Sequence, residues 1–350
     1  MNVLLNPLSN WFSKQFFHHT SMAGYIEPVI QLFKPSWRDG YYRAKVAAVQ
    51  AIANRTLAIE LKTESRWPTH KAGQHIELTL EINGRLVTRV FTIASSPNQA
   101  MHEGVIRLVV KQQDAGAFTP YLSRLQVNSW VNISKPKGTF LLPQSGAVTF
   151  FAAGSGITPF IAMLHQNLHE QVEPIHLVYY AKANEHLLVA ELESLSNRLA
   201  NFTFTLLSRS SDGDVIEKLS EFHNSKWLVC GPNDFYKTIQ NYAEAHQLSI
   251  LSEHFSLVNL HVHGDEKAHF QVDHGGIKFT ADNQQPLLAQ FQANKINVPY
   301  GCGMGICHQC QCVKKKGVVR DMRSGKLSDY GEELIQLCVS QVVSDVEFKA

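Results

Sequence analysis

Four cysteines near the C-terminus, Cys302, Cys307, Cys310 and Cys338, constrain this chain more than any other feature. They stand as C-x₄-C-x₂-C with the last one 28 positions farther on, and glycines at 301, 303 and 305 lie within or beside the loop. That spacing is the plant-type arrangement for a [2Fe–2S] cluster, with three thiolates on one tight loop and a fourth from a separate segment. Glycine suits such a loop because, lacking a Cβ, it reaches positive φ and lets backbone N–H groups approach the sulfurs. A zinc knuckle or a set of reduced core thiols are the alternatives. Zinc sites usually show two C-x₂-C pairs, and this sequence has one.

At 350 residues the chain has room for two or three domains. Its 44 % hydrophobic and 18 % charged content is that of an ordinary globular protein, and a net charge of +2 gives no support to nucleic-acid binding. Two cysteines remain outside the cluster pattern, Cys230 and Cys312, so a disulfide framework is not expected and a reducing cytoplasm is the natural compartment. No secretory signal is visible at the N-terminus. The most apolar window, 148–164, is broken by Gly154, Gly156 and Pro159 and falls short of the roughly 20 apolar residues of a membrane span.

The patterning changes along the chain. Residues 1–40 are aromatic and weakly patterned, with Trp11, Phe12, Phe16 and Phe17 close together. They read as a packed extension, or as a surface that touches a membrane or a partner. Over 41–144 apolar residues alternate, as at Leu57, Ile59 and Leu61 or Ile106, Leu108 and Val110, and the short strands predict an antiparallel β-barrel. Over 145–255 apolar runs alternate with helical spacing, the rhythm of an α/β parallel sheet. A polar, histidine-rich stretch at 256–267 suits a linker, where His261 and His263 are read as surface residues. Residues 268–350 open with two β runs and a helix before the cysteine loop, as expected of an α+β, β-grasp ferredoxin domain. There Cys312 reads as a core thiol, and Lys314-Lys315-Lys316 as a solvated turn or a dock for an acidic partner.

Several further motifs carry chemistry. Arg89-Val90-Phe91-Thr92 places a guanidinium and an aromatic ring two apart, on one face of a strand. It resembles the R-x-[YF]-[ST] flavin motif of the ferredoxin–NADP reductase superfamily. That likeness implies that Arg89 pairs with the flavin phosphate, Phe91 lies against the isoalloxazine and Thr92 bonds near its N5. The family more often has Tyr where Phe91 stands. Gly116-Ala117-Phe118-Thr119 is similar to the family's second flavin loop, whose backbone and hydroxyl donors meet the phosphates. Gly154-Ser155-Gly156-Ile157-Thr158-Pro159, between an apolar strand and an amphipathic helix, matches the family's G-x-G-[IV]-[AT]-P; its glycines would let a nucleotide pyrophosphate reach the helix N-terminus. Cys230-Gly231-Pro232 matches the C-G-P that lies beside the nicotinamide, and Phe255 stands where the family's ending places an aromatic near the flavin. Ser208 and Arg209 stand where phosphate-recognising relatives grip the 2′-phosphate, which favours NADPH over NADH.

Residues 41–350 thus resemble a flavin barrel, a nicotinamide-nucleotide domain and a plant-type ferredoxin domain fused in that order. The resemblance implies an NAD(P)H-dependent oxidoreductase with FAD, or FMN as the alternative, that accepts a hydride and releases electrons singly through a cluster near −400 mV, roughly the plant-type value. Positioning carries the catalysis, and no residue is nominated as an acid, base or nucleophile. The expected acceptor is an oxygen-activating iron partner. The aromatic N-terminal extension resembles that of reductases proposed to serve membrane fatty acyl desaturases, which implies peripheral contact with the inner face of the membrane. A reductase for an aromatic-ring dioxygenase, hydroxylase or acyl-CoA epoxidase is the alternative, and a non-catalytic zinc module the remote one.

Overall fold

A computed structural model describes residues 26–33, 42–53, 55–82, 85–112, 118–166, 173–253, 266–301, 303, 305, 309–323 and 325–349. Contact density divides the chain into a larger unit (Met1–Val87, Phe91–Gly231 and Ile239–Ser252) and a smaller one (Thr88–Val90, Pro232–Thr238 and Glu253–Ala350). After the short helix α1 (Glu27–Phe33), the larger unit begins with β1 (Tyr42–Ala53), β2 (Thr56–Thr63), β3 (His75–Ile82) and β4 (Arg85–Thr92). Helix α2 (Pro97–Glu103), β5 (Ile106–Lys111), the turn-length α3 (Thr119–Leu122) and β6 (Trp130–Ile133) complete this part. The strands form one six-stranded sheet in the order β4-β3-β6-β1-β2-β5. An antiparallel bridge from Ile93 to Leu108 joins its two ends, closing it into a barrel. The alternation seen in the sequence is the cause: Ile59 and Leu61 on β2 point inward with Ile76, Leu78, Ile106 and Leu108 to fill one core.

The parallel sheet follows: β7 (Val148–Ala153), α4 (Thr158–Gln166), β8 (Ile175–Tyr180), α5 (Val189–Arg198), β9 (Phe202–Leu207), α6 (Arg209–Asp212), β10 (Lys226–Cys230), α7 (Asn233–Ala245) and β11 (Ile250–Glu253). Its strand order is β11-β10-β7-β8-β9, with β7 parallel to both β8 and β10. The chain therefore winds outward from β7 in one direction and returns to its other side, which makes the β7–β10 gap the topological switch point where ligands of such sheets bind. Every residue of β7 is buried, as a central parallel strand covered on both faces requires.

The smaller unit carries β12 (His269–His274), β13 (Ile277–Asp282), α8 (Leu287–Ala293), β14 (Gln311–Lys316), β15 (Val319–Asp321), β16 (Glu333–Gln336), β17 (Ser340–Val342) and β18 (Val346–Phe348). A mixed sheet runs β13-β12-β18-β14-β16, with the parallel β12–β18 pair at its centre, and β15 pairs with β17. Phe291 of α8 packs edge-on to Phe279 and Phe348, so the helix lies across the sheet in the β-grasp manner.

The triple lysine departs from its sequence reading. Residues 314–316 end strand β14 rather than forming a turn. Lys314 is 0 % exposed, its ammonium donating to the carbonyls of Asp329 and Gly331, and Lys315 pairs with Glu347. Lys314 is thus engaged inside the domain, and Lys315 in an exposed ion pair on its surface. No helix among the described residues is long and apolar enough to cross a membrane.

Candidate functional site

The G-x-G turn sits where the sheet topology places it, at the C-terminal end of β7. Gly154 has φ +57 and nothing within 4 Å of where a Cβ would lie, so the turn stays open to an approaching group. Gly156 has the opposite environment: a Cβ there would fall 2.1 Å from the Cys230 carbonyl oxygen and 2.9 Å from the Gly231 nitrogen. The second glycine is needed for packing of the turn against the end of β10, and this contact brings Gly154–Pro159 and Cys230–Gly231 together across the switch point. Thr158 donates its hydroxyl to the Ser155 carbonyl at 3.1 Å, and Pro159 sits in the helix's first turn, where it leaves no N–H orphaned. An open turn, a nearby helix start and a wall of backbone fit a nucleotide phosphate. Cys230 is buried in the domain core.

Sequence reasoning missed Tyr179. Its hydroxyl donates to the Gly154 carbonyl at 2.9 Å and accepts from the Leu187 N–H at 2.9 Å. Burial pushes its ionisation up to about 12, so it stays a neutral donor that holds the turn. Nothing in the apolar run 175–180 marks that tyrosine, because its partners lie elsewhere in the chain.

At the end of β9, Ser208 is buried, with its hydroxyl 2.9 Å from that of Ser210 and its N–H donating to Asp212 at 2.8 Å. Arg209 is 63 % exposed at the side chain, and its Nε lies 3.1 Å from an Asp214 oxygen. The surroundings are acidic: burial and then the charges of Asp214, Asp212 and Glu217 raise Tyr180 to about 12.

On β4 the burial alternates so that Arg89 and Phe91 share one face and Thr92 takes the other. Arg89 donates from Nη1 to the Thr88 carbonyl at 2.8 Å. Phe118 is 2 % exposed in the barrel core, its ring 5.7 Å from that of Phe91. It supports Phe91 from within the barrel rather than presenting its own face. Thr119 is the first residue of α3. Gly116 and Phe255 lie outside the described residues, as do Trp11, Phe12, Phe16, Phe17, His261 and His263.

Two ion pairs fasten the barrel to the nucleotide part of the same unit. Arg107 of β5 donates to Glu191 of α5 at 2.7 Å, and His165 of α4 lies 2.6 Å from the same oxygen. Lys111, four residues along β5, pairs with Glu185 at 2.7 Å. Burial raises the Glu191 carboxyl, but hydrogen bonds from His165 and Arg107 outweigh it and leave it below its ordinary value.

Of the cluster cysteines, Cys310 and Cys338 are described and Cys302 and Cys307 are not. Cys310 and Cys338 are buried, from the start of β14 and the turn after β16, with their sulfurs 3.1 Å apart. A disulfide needs about 2.05 Å. Two thiolates on one tetrahedral metal, at metal–sulfur distances near 2.3 Å, stand about 3.8 Å apart. A small outward movement of either sulfur makes this pair fit one iron. Gly305, at φ +74, donates its N–H to Cys338 Sγ at 3.1 Å, the kind of contact that stabilises a metal-bound thiolate. Arg323 stands beside this group, its guanidinium held above its ordinary value first by the Asp321 hydrogen bond, with Cys338 and Cys310 adding to it. The donor set is all sulfur, which fits an iron–sulfur cluster.

Comparison with known proteins agrees with this geometry. Family models match residues 44–141 (oxidoreductase FAD-binding domain), 150–241 (oxidoreductase NAD-binding domain) and 270–343 (2Fe-2S iron-sulfur cluster binding domain). The chain is 23 % identical over 331 residues to an NADPH oxidoreductase of Mycobacterium tuberculosis, covering 90 % of this chain and 86 % of that protein. It is 25 % identical over 220 residues to the toluate 1,2-dioxygenase electron transfer component of Pseudomonas putida, covering 58 % and 63 %. Among solved structures, phthalate dioxygenase reductase superposes with a TM-score of 0.61 at 21 % identity, covering 89 % of this chain and 98 % of that one. With FAD-binding, NAD-binding and 2Fe-2S domains in that order, the chain belongs to the ferredoxin–NADP reductase superfamily, as an NAD(P)H-dependent flavoprotein reductase fused to a C-terminal ferredoxin domain.

Proposed function

We propose that this reductase feeds single electrons from NAD(P)H to an oxygen-activating iron protein, leaving through the Cys302, Cys307, Cys310 and Cys338 cluster. The observation that carries the exit point is the buried pair of sulfurs 3.1 Å apart beneath the Gly305 N–H. Flavin, when bound, supplies the conversion of a two-electron hydride into two one-electron deliveries. The residues do the positioning. With flavin bound, Arg89, Gly116 and Thr119 would hold its phosphates, Phe91 would back the ring with Phe118 behind it, Thr92 would bond near its N5, and Phe255 would stand near its face. Gly154, Gly156, Thr158 and Pro159 seat the pyrophosphate, while Cys230, Gly231 and Pro232 border the nicotinamide. We place the domains at 41–144, 145–255 and 268–350, with 1–40 as the extension and 256–267 as the linker.

Ser208 and Arg209 remain our choice for the 2′-phosphate. Because Asp214 already engages Arg209 amid other carboxylates, the preference for NADPH over NADH is expected to be weak.

Names among the relatives, such as the toluate dioxygenase component and the glycine betaine monooxygenase reductase subunit of Pseudomonas aeruginosa, support a terminal oxygenase as acceptor. A second reading, a membrane-bound acceptor such as a fatty acyl desaturase, is favoured by α1, where Leu32 and Phe33 are 79 % and 87 % exposed. Those side chains suit contact with lipid.

An anaerobic titration with NADPH and with NADH, followed by absorbance and EPR, tests the path. Bleaching of a flavin band together with a rhombic [2Fe–2S] signal is expected. Bleaching without a cluster signal, in protein shown to contain iron and sulfide, would overturn the exit point. Turnover with a purified dioxygenase, compared with a desaturase in vesicles, separates the two acceptors.

A further inference from the structure

One cation braces the loop that carries the cluster cysteines. Arg323 follows β15, and its backbone N–H donates to Asp321 Oδ1 at 2.8 Å. Its Nε donates to the same oxygen at 3.2 Å, while Nη2 bonds Asp321 Oδ2 and reaches Gln336 Oε1 at 3.1 Å. The remaining nitrogen, Nη1, donates to the Gly305 carbonyl at 2.9 Å, and Gln336 Nε2 donates to that carbonyl at 3.2 Å. On its other side, Gly305 donates its N–H to Cys338 Sγ. A Cβ on Gly305 would fall 2.7 Å from Nη1, so the guanidinium occupies the space a side chain would take. Carboxylate, guanidinium, glycine backbone and sulfur therefore form one continuous hydrogen-bonded chain.

We propose that Arg323 is a positioning residue that sets the reduction potential of the cluster through Gly305. A planar guanidinium with three of its edges committed cannot swing away, unlike a lysine on a flexible stem. A fixed positive charge close to a group that gains an electron favours the reduced form. Asp321 offsets part of that charge, and it takes Nε and Nη2 while leaving Nη1 for the loop. Removing the cation and removing the carboxylate should therefore move the potential in opposite directions. A brace with only a mechanical role has no reason to show that sign reversal.

The inference rests on the four cysteines holding a [2Fe–2S] cluster. Wild-type protein that shows no reduced-cluster EPR signal would defeat that reading, before any variant is compared. The test is an EPR-monitored redox titration of the full-length holoprotein, with iron content measured on each sample. Arg323→Gln should disfavour electron uptake by about tenfold, which is about 59 mV for one electron. Arg323→Lys, which keeps the charge but not the fork, should recover only part of that loss, and Asp321→Asn should raise the midpoint above wild type. An Arg323→Gln protein with full iron and a wild-type midpoint overturns the proposal. Should that variant purify without its iron, Asp321→Asn decides: a raised midpoint supports the proposal, and an unchanged or lowered one overturns it.

Discussion

Gly156 in the nucleotide turn and Gly305 in the cluster loop each exclude a Cβ, yet the atoms that exclude it differ in kind. At Gly156 they are backbone atoms of Cys230 and Gly231, set in a core where β7 is wholly buried. At Gly305 they are side-chain atoms, the Arg323 guanidinium and a Val339 methyl, each 2.7 Å away. The nucleotide turn is thus held by the same backbone packing that forms the sheet. The cluster loop depends on removable side chains. One site is shaped by backbone and the other by side chains, so the second is expected to lean more on its metal.

The largest test of that contrast is loss of the metal. Cys338→Ser should abolish the cluster absorbance and one-electron delivery, while NAD(P)H–ferricyanide turnover through the flavin persists. Limited proteolysis of that variant should cut within 300–310 and spare 154–158. Equal protection of both segments would break the comparison. Next in size, Gly156→Ala should destabilise the protein by ~1–3 kcal/mol, the usual cost of overpacking, because backbone cannot step aside as a side chain can. Denaturant unfolding followed by tryptophan fluorescence would read it, and a loss under ~0.5 kcal/mol would show that the turn yields after all.

A smaller effect belongs to the ion pairs around Glu191. Its carboxyl is depressed, so it adds stability above its unfolded value near about 4.3, and loses it as pH falls through the lower folded value. Glu191→Gln should cost about 1–2 kcal/mol at pH 7, between the worth of an exposed and a buried pair, and progressively less as pH falls through the lowered folded value. A cost independent of pH would show that packing, not charge, fastens α5 to the barrel. The smallest change is expected from Asp214→Asn, which frees Arg209. The kcat/KM ratio for NADPH over NADH should rise by about fivefold at most, as for an exposed pair. A falling ratio would remove Arg209 from nucleotide choice.

Much of this was legible because it rests on local periodicity. Inward alternation at Leu57, Ile59 and Leu61 announced the barrel strands, and the run at 148–153 announced a covered parallel strand. The Gly154 motif could be placed from its strand–turn–helix setting. What Gly156 packs against could not, since Cys230 is far along the chain and meets it only through the sheet order. Tyr179 and Arg323 were invisible for the same reason: each acts on a glycine backbone distant in sequence. Lys314 misled outright, because a lysine is expected outside unless its ammonium is satisfied. The carbonyls that satisfy it belong to a loop fifteen and more residues away.

That buried lysine also gives the ferredoxin domain an internal clock. Amine-directed reagents can reach Lys314 only when the loop holding Asp329 and Gly331 lets go, whereas Lys315 is accessible at its edge. The ratio of labelling at these two neighbours, read by mass spectrometry, therefore counts opening events of the domain directly. No engineered probe is needed, and the same reading can be taken with the cluster loaded, reduced or removed.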